Sequence, residues 1–61
     1  MKPFYWVIAE KSGSYFAIKY LTEKGARNRM NKMTGNVSIV RTFSDNADDA
    51  IEELKEGQGL I

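Results

Sequence analysis

Residues 4–20 read FYWVIAE-KSG-SYFAIKY, two aromatic-rich runs separated by Lys11-Ser12-Gly13. They hold six of the seven aromatic residues of the chain, so its core has to be built on them. The first run sets Phe4, Trp6 and Ile8 against Tyr5, Val7 and Ala9, with β-branched and aromatic residues throughout and Pro3 just before it. Such a pattern predicts a strand over residues 4–10. Because both of its faces are apolar, its place is the middle of a sheet. The spacing of Lys11-Ser12-Gly13 suits a three-residue hairpin loop with Gly13 at the position of positive φ. In that register Ile8 faces Phe16, Trp6 faces Ile18 and Phe4 faces Tyr20. The large side chains then collect on one face, and Tyr5, Val7, Ala9, Tyr15, Ala17 and Lys19 on the other.

Beyond the hairpin the period changes. Thr22 is a suitable N-cap, Ala26, Met30 and Met33 form a narrow apolar stripe, and Gly35 supplies a stop, which predicts a helix over 22–34. Its opposite arc is basic and amide-rich: Lys24, Arg27, Asn28, Asn31 and Lys32. Val37 to Phe43 reads as a third strand, and Arg41 on its apolar side points to a sheet edge. Ala47, Ala50, Ile51 and Leu54 then mark an amphipathic helix from about Asp45 to Glu56, capped by Ser44 or Asn46 and ended by Gly57. The tail, residues 58–61, either folds back on its two apolar residues or is disordered.

The predicted fold class is therefore α+β, a two-layer β-β-α-β-α domain. Its three-stranded antiparallel sheet has order 2-1-3, and both helices lie on the Phe4/Trp6/Ile8 face. Under that arrangement the second sheet face stays open and displays Tyr5, Val7, Tyr15, Ala17, Val40 and Thr42. That face is more apolar than a solvated one should be.

A chain of 61 residues forms one small domain, 1–61. It buries only about 60% of its unfolded surface, so its stability is marginal. With no Cys and no His, disulfides are excluded and a typical zinc site nearly so, which leaves association as the natural reinforcement. The longest apolar run, residues 4–9, is far short of the ~20 residues that span a bilayer. Nothing at the N-terminus resembles a secretory signal, and a cysteine-free chain needs no oxidising compartment, so the expected location is cytoplasmic, with no membrane partner. The sequon Asn36-Val37-Ser38 is then accidental.

A net charge of +1 conceals a division. Lys19, Lys24, Arg27, Arg29, Lys32 and Arg41 face only Glu23 within residues 19–41, and Asp45, Asp48, Asp49, Glu52, Glu53 and Glu56 face only Lys55 after Ser44. A molecule polarised in this way can steer a charged partner, although two such segments can also simply be solvated.

Catalysis has little to use, because the commonest general base and the most nucleophilic side chain are both missing. No enzyme activity, cofactor or metal is expected. The acids Asp45, Asp49, Glu52 and Glu56 share a helix ridge but lack the spacing and central glycine of a calcium loop, so a solvated face or an acidic surface for a basic partner is the better reading. Two function classes remain. The favoured one is a small protein-binding regulator, adaptor or inhibitor that acts through the open sheet face or a charged helix; the same face would also serve a homodimer. The alternative is a nucleic-acid-binding module in which Lys24, Arg27 and Lys32 meet phosphates while Asn28 and Asn31 reach bases or sugars. In that alternative Tyr5 and Tyr15 would be placed to stack unpaired bases.

Overall fold

The computed structural model describes all 61 residues, in the order β1 (Phe4–Lys11), β2 (Ser14–Tyr20), α1 (Glu23–Met30), β3 (Asn36–Thr42) and α2 (Ala47–Glu56). Both neighbours of β1 run antiparallel to it, and the sheet order is β2-β1-β3. The α+β class and the central place of the doubly apolar first strand thus stand as the sequence implied. Val7, Ile8 and Val40 are wholly or almost wholly buried.

The hairpin differs from expectation by one residue. Its loop is Ser12-Gly13 alone, with Lys11 facing Ser14, Ile8 facing Ala17 and Trp6 facing Lys19. Ser12 and Gly13 both have positive φ, 53° and 81°, as a type I′ turn requires, and that turn matches the right-handed twist of the strands it joins. Ser12 bears the cost of a left-handed conformation for the sake of this fit. Dropping one residue from the loop turns every β2 side chain over. Phe16, Ile18 and Tyr20 therefore lie on the side of Val7, opposite Trp6 and Ile8.

The same parity decides where the helices go. Ala47, Ala50, Ile51 and Leu54 of α2 pack on Trp6, Ile8 and Val40, with Phe4 and Ala17 beside them. Ala26 and Met30 of α1, with Met33 just after it, pack on Val7 and Ile39, with Tyr5, Tyr20 and Val37 alongside. Adjacent strand residues point to opposite faces, so the helices cover opposite sides of the sheet. The expectation of two helices on one face, in two layers, is corrected to three layers with the sheet in the middle. A central strand apolar on both faces needs a cover on each.

The element boundaries follow local chemistry. Thr22 caps α1 by accepting from the Gly25 N–H, but the helix ends at Met30, short of the expected 34. Three-residue turns, Lys32 N–H to Arg29 O and Met33 N–H to Met30 O, carry the chain away. Asn46 caps α2 through the N–H groups of Asp48 and Asp49, and Gly57 closes it at φ 76°. β3 ends at Thr42, which leaves Phe43 outside the sheet and exposed. The Thr42 hydroxyl donates to the Glu53 carboxylate and accepts from the Ser44 N–H, and Trp6 Nε1 donates to Ser44 O at 3.1 Å. These bonds tie the β3–α2 connection to the core beneath it.

Of the two choices for the tail, the structure takes the first, by backbone pairing more than by burial. Arg41 N–H donates to Gly59 O at 2.7 Å, Ile61 N–H donates to Ile39 O at 3.0 Å, and Leu60 bridges Val40. The C-terminal half of the free edge of β3 is thereby covered. No helix is long and apolar enough to cross a membrane.

Glu10 joins the turn to β3. Its carboxylate accepts from the Gly13 N–H at 2.8 Å and from Asn36 Nδ2 at 3.2 Å. The Gly13 bond first, and the Asn36 bond second, hold its pKa below the ordinary value. A depressed folded-state pKa stabilises the fold above the unfolded pKa, and this contribution is lost as pH falls through the folded value. The Gly13 amide proton resonance should follow the Glu10 carboxylate with a midpoint below that of a model Glu peptide, and E10Q should abolish the titration. A midpoint at the peptide value would show that the two bonds do not hold the carboxylate in solution.

Candidate interaction surfaces

The six residues expected on one open face do not share a face. Tyr5 and Val7 lie under α1, whereas Ala17 lies under α2, and Val40 and Thr42 share that side with Tyr15. Val7, Val40 and Thr42 are buried. The open-face surface is thus corrected; the one-residue register and the second helix layer remove it. Tyr15 alone of the six is exposed, with the Lys55 ammonium 5.1 Å from its ring centroid.

Of the basic arc, Lys24, Arg27 and Asn28 stand on α1, Asn31 caps it and Lys32 follows it. All five are exposed. Arg27 is engaged by Glu23 one helical turn earlier, whereas Lys24, Arg29 and Lys32 have no acidic partner. The acidic residues sit across the sheet. Asp49 accepts from the Ser44 hydroxyl and Asp45 holds Lys19, so two of the four acids Asp45, Asp49, Glu52 and Glu56 are taken up by local bonds. No group of three or more acidic side chains is placed to hold a metal ion. The charge division in the sequence has become a division in space. α1 gives the molecule a basic side and α2 an acidic one, with the full sheet between them.

A third surface was not drawn from the sequence, the outer edge of β2. In a type I′ turn the residue before the loop accepts from the residue after it, so Lys11 and Ser14 form a hydrogen-bonded pair. Bonded and non-bonded pairs then alternate. Ala9–Phe16, Val7–Ile18 and Tyr5–Tyr20 are bonded within the sheet, and the backbone groups of Tyr15, Ala17 and Lys19 point outward. Continuing the alternation across β1 turns Val37, Ile39 and Arg41 outward on β3, and the tail bonds the last two. One sheet edge is capped over Ile39 to Arg41; the other is open along its length.

Comparisons with protein-family models, with curated proteins and with solved structures return no match.

The open edge carries apolar side chains. Phe16 is 59% exposed and Tyr15 38% exposed. Beside Phe16 a concavity of about 660 Å³ opens between the hairpin end and the α1–β3 connection, with Ala9, Phe16 and Met33 in its apolar lining and Lys11, Ser14 and Thr34 among its polar groups. β2 lacks the usual protection of an edge strand. It has no proline and no bulge, and its one charge, Lys19, is drawn inward to Asp45 and to the Phe4 ring, 4.9 Å from the centroid. The sequence held a usable signal for this surface. Ser12-Gly13 is itself a two-residue turn candidate, and that loop puts Phe16 beside the α1 side of an edge strand.

Proposed function

We propose that the protein is a non-enzymatic, protein-binding regulator, an adaptor or an inhibitor, that meets its partner along the open edge of β2. The supporting observation is the asymmetry of the sheet. β3 is capped over Ile39 to Arg41 by Gly59–Ile61, whereas β2 offers three residues of unpaired backbone flanked by exposed Phe16 and Tyr15. Strand addition at such an edge draws affinity from backbone bonds and selectivity from the alternating side chains. A cytoplasmic setting belongs to this reading, on the cysteine-free composition. Affinity capture from the native proteome tests it. Proteins retained by the wild-type chain should fall at least about tenfold with F16E. Retention that F16E leaves unchanged would place the contact elsewhere and overturn the reading.

A second reading has its own support. Because α2 lies across the sheet from α1, its acids point away from a nucleic-acid backbone laid along Lys24, Asn28 and Lys32. The acidic helix therefore does not repel a backbone that approaches from the α1 side. Binding to a short duplex or single strand should then weaken steeply with salt, and K24E/K32E should lower affinity at least about tenfold and flatten the slope by roughly two neutralised phosphates. No binding at low salt would end this reading.

A further inference from the structure

We infer that the occupant of the β2 edge is a second copy of this chain, paired β2 to β2 about a two-fold axis at Ala17, so that two three-stranded sheets become one. The inference rests on the open-edge reading above and names its partner.

The register follows from which groups point outward. Tyr15, Ala17 and Lys19 present unpaired backbone, and an antiparallel copy bonds them only if these residues meet one another. An axis at Ala17 sets Tyr15 opposite Lys19 of the second copy, Ala17 opposite Ala17, and Lys19 opposite Tyr15. All the outward groups are then satisfied, in roughly six hydrogen bonds. Moving the axis loses a pair at either end. An axis at Lys19 also sets two ammonium groups face to face, and an axis at Tyr15 leaves Lys19 beyond the turn.

The side chains agree with that register. On the α1 side, Phe16 falls opposite Ile18 of the second copy, twice by symmetry, and this covers the most exposed aromatic side chain of the sheet. On the α2 side, each Tyr15 ring meets a Lys19 stem, and the small Ala17 pair at the centre lets the strands close. No like charges face each other, because Lys19 is the only charged residue of β2. The other sheet edge does not compete, since the tail already bonds Ile39 and Arg41. A chain of 61 residues with only eight buried residues also gains a larger continuous sheet.

Sedimentation equilibrium from about 1 μM to 1 mM should show the mass rising from 6.9 kDa towards twice that value. A17P removes the central outward N–H at an edge position that tolerates proline, and F16K alters an exposed side chain; each should weaken the dimer at least about tenfold. Since the chain has no Cys, single-cysteine variants report the register. A17C should form a disulfide dimer on mild oxidation, its two Cα atoms lying about 5.5 Å apart, whereas S14C, about 20 Å from its symmetry mate, should not. A mass of 6.9 kDa at every concentration overturns the pairing. F16-dependent capture of a different protein would still leave the edge reading in place. A dimer unchanged by F16K, and by A17P with native circular dichroism, overturns the inference. S14C crosslinking as readily as A17C does the same. Should A17P fail to fold, F16K and the cysteine pair decide.

Discussion

Replacing Ile8 with Ala should leave most of the chain unfolded at 25 °C. Ile8 is 1% exposed and sits where β1 meets α2, against Trp6, Val40 and Ala50. Removing that side chain costs about 2–5 kcal/mol in transfer and cavity energy. A single core in so short a chain rarely supplies more than about 3–5 kcal/mol in total. The deletion is therefore comparable to the whole stability of the domain. Far-UV circular dichroism and a urea titration should show loss of the native baseline in I8A, while F16K, exposed at the edge of the same sheet, stays within roughly 0.5 kcal/mol of wild type when monomeric. A cooperative I8A transition within about 1 kcal/mol of wild type would mean that the core is not centred on this residue.

Replacing Gly59 with Ala should detach the tail and open the second sheet edge. At φ 67° a side chain is already disfavoured, and a Cβ built there would stand 2.4 Å from the backbone oxygen of Arg41. The backbone has to move, and the bonds Arg41 N–H to Gly59 O and Ile61 N–H to Ile39 O are what it would break. Amide exchange at Arg41 should rise at least about tenfold in G59A, while Val7 and Ile8 amides keep most of their protection. With both edges open, the mass distribution should extend beyond a dimer, since each copy can then pair on two sides. Wild-type exchange at Arg41 in G59A would show that the tail does not seal the edge in solution.

Ile8 was legible as a core residue in the sequence because it belongs to a run apolar on both faces. Gly59 was not, because its role depends on a contact with Arg41, far away in the chain, and no local pattern records it. Tyr15 and Phe16 lie between these cases. Their presence in a strand was clear from alternation, but which of them faces α1 turned on whether Lys11 belongs to the loop. Both loop lengths satisfy the local composition. Only the twist match of a type I′ turn, together with the two helix layers, selects the shorter one. Helical spacing places Lys24, Arg27 and Asn28 together on α1, whereas Asn31 and Lys32 lie at its end and beyond it, where the turn after Met30 decides their position.

Local periodicity and capping thus determined the strands, the helices, the central place of β1 and the polarity of each helix, because these depend on neighbours within a few residues. Tertiary structure decided the register, the side of the sheet that each helix covers and the edge that stays open. The physical reason lies in the two-residue period of a strand. A shift of a single loop residue costs little locally, yet it moves Phe16 and Ile18 through the sheet. What settles it is the packing of α1 on Val7 and of α2 on Ile8, on opposite faces of the same strand.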